Sequence, residues 1–114
     1  MTALNCCQQI LPKMKQNGWG RIVNMGAQAA VNGMPLTGPY CTSKAAVHVL
    51  SKTIALENGN GITCNAILPG IIDTPANRKQ MPDANNSNWV SLKQIAVRIE
   101  SLLLSDENGS LINL

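Results

Sequence analysis

Apolar residues recur at helical spacing near the start of the chain. Leu4, Cys7, Leu11 and Met14 share one face, which predicts a helix over residues 3–16. Pro12 falls inside it and predicts a bend or a new first turn. Asn17-Gly18 is a stop signal. Residues 21–25 are short, apolar and β-branched, as a buried strand would be. Residues 26–38 are broken by glycine and proline and read as a loop. Pro39 suits the first turn of a helix over 40–57, with Ala46, Val49, Leu50, Thr53 and Ile54 as its expected buried stripe. Asn58-Gly59-Asn60-Gly61 breaks that helix. A second strand runs over 62–68 and is closed by Pro69-Gly70. Residues 71–90 are polar and irregular, which predicts a mobile substrate loop. Ser91 and Gln94 form a capping box ahead of an amphipathic helix carrying Leu92, Ile95, Ala96, Ile99, Leu102 and Leu103. Asn108-Gly109 is expected to end it, and a third strand follows over 111–114. The alternation αβαβαβ argues for an α/β fold with a parallel sheet.

Composition narrows the class. At 114 residues with 45% apolar residues, the chain is long enough for one domain with a real core. A net charge of +3, spread over scattered Lys and Arg residues, does not make a basic groove. Two Trp, one Tyr and no Phe leave few platforms for base stacking, so no nucleic-acid role is expected. No apolar run is long enough for a membrane helix, so no membrane role is expected either. Cys6, Cys7, Cys41 and Cys64 have no metal spacing, and the chain has one histidine, so no metal site is expected. The start shows no secretory signal pattern, and a cytoplasmic location with reduced thiols is the expectation.

One pair carries chemistry. Tyr40 and Lys44 lie four apart at a helix start and share a face. A free tyrosine titrates near pH ~10 and is a poor base at neutrality, whereas a neighbouring ammonium stabilises its phenolate. Tyr and Lys at this spacing are also common on solvated helix faces, so the pair alone leaves both readings open. His48, one turn further on, reads as a packing or subunit-contact residue. Cys41 reads as a bystander beside Tyr40, and Asp73 as a solvated carboxylate within reach of Arg78.

Context settles the weighting. Gly20-Arg21-Ile22-Val23-Asn24-Met25 precedes the pair, and Asn65-Ala66-Ile67-Leu68-Pro69-Gly70-Ile71-Ile72-Asp73-Thr74-Pro75 follows it. In this order and spacing, the three elements resemble the short-chain dehydrogenase/reductase family, essentially over the whole chain. Thr74-Pro75, Asn77-Arg78-Lys79, Met81-Pro82, Ala84 and Trp89 resemble the dihydropteridine-reductase branch. So does Gly26-Ala27-Gln28-Ala29-Ala30 before Gly33-Met34-Pro35.

The resemblance implies a partial Rossmann-like, doubly wound parallel sheet: residues 1–114 would be the carboxyl-terminal half of one domain, with its last three strands and flanking helices. It implies hydride transfer with NAD or NADP and a small-molecule substrate. Tyr40 would be the general acid/base, and Lys44 would support it and hydrogen-bond the nicotinamide ribose. Pro69, Gly70, Ile72 and Thr74 would line the nicotinamide side. Helices 3–16 and 40–57 would form a homo-oligomer contact.

Two departures qualify the resemblance. The family's usual serine stands thirteen residues before the tyrosine, where this chain has Ala27. Alanine cannot polarise a carbonyl, and losing such a donor costs on the order of 10²-fold or more. An imine-like quinonoid dihydropteridine substrate would not need it. The family's glycine-rich phosphate turn, between a first strand and helix, is also absent. Without it, and with an unpaired strand edge at 21–25, the chain alone is expected to bind NAD(P) very weakly and to aggregate. The alternatives are a catalytically inert dimerisation partner of a longer relative, or an inert fragment from an incomplete gene model.

Overall fold

A computed structural model describes all 114 residues. Three strands carry the architecture: β1 (Gly20–Met25), β2 (Ile62–Leu68) and β3 (Leu111–Asn113). They pair in parallel in the order β1-β2-β3, with Gly20 opposite Ile62 and Ala66 opposite Leu111. The helices are α1 (Thr2–Asn17), α2 (Ala29–Asn32), α3 (Gly38–Glu57), α4 (Pro75–Gln80) and α5 (Leu92–Leu103). None is long and apolar enough to cross a membrane.

All seven residues of β2 are buried, as expected for a central parallel strand covered on both faces. On one face Cys7 of α1 and Ile54 and Ala55 of α3 pack on Ile22 and Cys64, with Leu11, Met14 and Leu50 closing the cluster. Strand alternation turns Arg21, Val23 and Asn65 to the other face. There α5 packs against β1, burying Ile95 and Leu102. Burial pushes the Cys64 thiol up to about 12 and also raises Cys7, so both behave as small apolar packing groups.

Most predicted elements are present, and the differences have physical reasons. Pro12 sits inside a helix that stays continuous; it is exposed, so water can serve the carbonyl it leaves unpaired. The expected stripe on α3 is displaced. Ala46, Val49 and Thr53 are exposed and Leu50 half-buried, whereas Val47, His48, Ser51, Ile54 and Ala55 are buried. This helix is apolar on several sides, and its polar residues go inward because partners wait there. Ser51 donates to the Val47 carbonyl and accepts from Asn24 Nδ2 at 2.9 Å. On α5, Leu92, Ala96 and Leu103 likewise face solvent.

The loop over 26–38 contains α2, and the 71–90 segment is not irregular throughout. It holds α4, whose Asn77 amide is capped by the Thr74 side chain, and an isolated bridge between Ile72 and Val90. The last helix ends at Leu103, short of Asn108-Gly109. Asn108 is engaged elsewhere: its Oδ1 accepts the Cys64 amide at 2.9 Å, and its Nδ2 donates to the Ala55 carbonyl.

The Ser91 capping box is present. Ser91 Oγ accepts the Gln94 amide at 3.1 Å, and Gln94 Oε1 accepts the Ser91 amide at 2.9 Å. Ser91→Ala should therefore cost about 1 kcal/mol, read as a lower urea midpoint; an unchanged midpoint would show that the cap contributes nothing.

Candidate active site

A cleft of about 660 Å³ opens beyond the carboxyl ends of β1 and β2. Tyr40 stands on its wall from the first turn of α3, where Pro39 fixes the helix start, and is 49% exposed. Ala27 comes from the turn after β1 and is only 4% exposed. Pro69, Gly70 and Ile72 enter from the end of β2. The structure thus brings five of the expected residues into one cavity.

Lys44 and Thr74 are not on that wall. Lys44 Nζ donates to the Met25 carbonyl at 2.9 Å, tying α3 to the end of β1. Thr74 Oγ1 accepts the Asn77 amide at 3.1 Å and so caps α4. Thr74 with Pro75 thus shapes the start of α4.

Residues without an assigned role in the sequence also line the cleft, among them Gln28, Met34, Thr37, Asn77 and Met81. Asn77 Nδ2 donates to the Ile72 carbonyl at 2.7 Å, fixing α4 to the strand end. Its position three residues after Thr74 was the available signal. Gln28 spans the floor: its amide donates to the Pro69 carbonyl, and its Nε2 donates to the Leu114 carbonyl at 2.9 Å. No local pattern could have shown that contact between distant residues. A Cβ on Gly70 would lie 3.2 Å from Gln28 Oε1, so a larger residue there would require the Gln28 side chain to shift. None of the twelve lining residues is charged.

Cys41 is a packing thiol. Its Sγ donates to the Ala29 carbonyl at 3.3 Å and lies 3.1 Å from Thr37 Oγ1, joining α2 to α3. His48 is buried, and its Nε2 accepts the Ala27 amide at 3.2 Å.

Asp73 is paired rather than merely solvated. Arg78 donates to it through Nε at 2.6 Å and through a second guanidinium nitrogen at 2.8 Å. Those bonds hold the Asp73 carboxyl below its ordinary range. A depressed folded-state value means that the contribution is present above the unfolded value of ~3.9 and is lost as pH falls through the folded value. An NMR titration should place the Asp73 midpoint below ~3.9 and return it to the ordinary range in Arg78→Gln. The same midpoint in both proteins would exclude the pairing in solution.

The fold and cleft together define a doubly wound α/β protein with its site beyond the carboxyl ends of the strands. Comparison with known proteins gives the family. A sequence model of the short chain dehydrogenases matches residues 1–85. The chain belongs to the short-chain dehydrogenase/reductase family. It is 42% identical over 103 residues to a dihydropteridine reductase of Dictyostelium discoideum, covering 84% of this chain and 45% of that protein. It is 36% identical over 86 residues to a D-beta-hydroxybutyrate dehydrogenase of Rhizobium meliloti (strain 1021), covering 75% of this chain and 33% of that protein. Among solved structures, ElxO with NADP bound superposes at a TM-score of 0.88 with 26% identity, over 97% of this chain and 51% of that one. The acetoin dehydrogenase of Enterobacter cloacae superposes at 0.82 with 32% identity, over 98% of this chain and 48% of that one. The chain therefore spans about half or less of the length of these relatives.

Proposed function

We propose that this chain carries the tyrosine-bearing half of an NAD(P)-dependent oxidoreductase site, with Tyr40 as general acid/base and a dihydropteridine-like substrate. The observation that carries the reading is Tyr40 standing in one uncharged cleft with Ala27, Pro69, Gly70 and Ile72.

The residues present fit the nicotinamide end of the cofactor. An uncharged cleft with a glycine at its strand end suits a flat ring bearing an amide. When bound, a reduced nicotinamide supplies the hydride. Pro69, Gly70 and Ile72 would hold that ring, and Thr74 would approach its amide through the proton of its hydroxyl. Lys44 would exchange its bond to the Met25 carbonyl for a ribose hydroxyl. The Tyr40 Oη would deliver a proton to the substrate nitrogen or oxygen as hydride arrives. The Lys44 ammonium, one turn away, would stabilise the phenolate left behind.

Ala27 selects the substrate type in this reading. Its methyl group offers no hydrogen bond to a carbonyl oxygen, so a substrate whose accepting atom takes its proton from Tyr40 alone fits best. A quinonoid dihydropteridine is such a substrate, and the likeness to the Dictyostelium reductase supports it. The outward residues Val49 (64% exposed) and Leu56 (87% exposed) of α3, with Ile10 of α1, support self-association through these two helices.

The test is oxidation of millimolar NADH and of NADPH by quinonoid dihydropteridine in the presence of the chain. Turnover above the uncatalysed rate, lost in Tyr40→Phe, is the expected result. No turnover with either cofactor would leave the inert-partner reading for this chain.

A further inference from the structure

We infer that His48 is a positioning residue for the site proposed above: its neutral imidazole holds, from beneath, the Gly26–Ala27 turn that shares the cleft with Tyr40. The inference rests on that reading for its functional consequence, and on geometry for the rest.

His48 is 6% exposed, and its Nε2 accepts the Ala27 amide at 3.2 Å. An accepting Nε2 carries no proton, so the ring is neutral and its hydrogen sits on Nδ1. Burial, then the charges of Lys44 and Lys52 on the same helix, lower the His48 pKa and favour this form. The turn presents Gly26 and Ala27 to the ring, and neither carries a side chain that titrates.

The fit is close on both sides. A Cβ at Gly26 would run into the imidazole at Nε2 and Cδ2, so with histidine in this place the turn needs glycine. Helix α3 grips the chain on either side of this glycine with opposite polarity. Lys44 Nζ donates to the carbonyl before it, and His48 Nε2 accepts from the amide after it. The two grips are not interchangeable: an ammonium cannot accept and a carbonyl cannot donate. Tyr40 lies on the same helix, eight residues earlier. The hydrogen bond therefore sets the height of Ala27 relative to the tyrosine, through one rigid element. Small displacements of a reacting geometry are costly, on the order of 10²-fold per ångström.

The test uses the isotope-labelled 114-residue chain, in which the ring signals are unambiguous because only one histidine is present. Nitrogen NMR should find His48 with the proton on Nδ1. Hydrogen exchange of the Ala27 amide should accelerate about tenfold in His48→Leu and stay within about threefold in His48→Gln, whose amide oxygen can accept. In the reductase assay, His48→Leu should lower kcat about tenfold at unchanged KM, and His48→Gln should recover most of it. A proton on Nε2, or an Ala27 exchange rate indifferent to both substitutions, overturns the inference. If His48→Leu does not fold, the ring tautomer and the glutamine variant decide. An unmodified chain without turnover overturns the oxidoreductase reading, and the exchange data alone then decide whether His48 holds the turn.

Discussion

Tyr40→Phe is expected to lower turnover by about 10²–10⁴-fold, the usual worth of a positioned general acid/base. The ring remains and only the hydroxyl is removed. Because Tyr40 is half exposed in the first helical turn, the folded state should lose no more than about 0.5 kcal/mol. Turnover and stability therefore separate: the variant should unfold at nearly the parent urea midpoint while failing to transfer the proton. Ala27 raises the dependence on Tyr40, because no hydroxyl at that position can share the task. A variant retaining more than about a tenth of parent activity would place the proton donor elsewhere.

Asn65→Ala should give the largest loss of stability among polar substitutions. Asn65 is 1% exposed at the centre of β2. Its Nδ2 donates to the Glu107 carbonyl at 2.7 Å, and its Oδ1 accepts the Ser110 amide at 2.9 Å. Alanine leaves both backbone groups without a partner, at about 1–3 kcal/mol each. The expected total of about 2–6 kcal/mol is a large share of the roughly 5–15 kcal/mol that holds a typical domain. The effect should extend to the cleft. These bonds seat the chain entering β3, and β3 leads to the Leu114 carbonyl that accepts from Gly70 and Gln28. Asn65→Asp, which keeps the acceptor but turns a buried carboxylate oxygen toward the Glu107 carbonyl, should lose at least as much. Urea unfolding reads the midpoint, and amide exchange at Ser110 reads the local loosening. A midpoint within error of the parent would mean that β3 is seated by other contacts.

The strands and long helices were legible because each carries a strong local signal. The β-branched runs of β1 and β2, the Ser91-Gln94 box and Pro39 all lie within a few residues of what they specify. What sequence could not supply depends on distant partners. Which side of α3 is buried is decided by Asn24 and Ala27, which offer bonds to Ser51 and His48. The stretch after Leu103 is claimed by Asn108, committed to the Cys64 amide and the Ala55 carbonyl, both far away in sequence. Short α2 and α4 lack the length for periodicity to show. The site divides in the same way. Tyr40, Pro69, Gly70 and Ile72 were readable from a resemblance, whereas Gln28 and Asn77 join the cleft through backbone carbonyls contributed by other segments. Asp73 meets Arg78 because α4 turns the chain back over one helical turn, a contact that a carboxylate five residues away does not announce.

The most direct test of the account is an amide NMR titration of the 114-residue chain with NADH, NADPH and reduced nicotinamide mononucleotide. The mononucleotide lacks the adenylate half, which this chain has no glycine-rich turn to hold. If the cleft takes the nicotinamide end, all three ligands should shift the same amides, those of Ala27, Gly70 and Ile72, with similar and roughly millimolar affinity. Shifts confined to other parts of the chain, or none up to about 10 mM, would contradict the account.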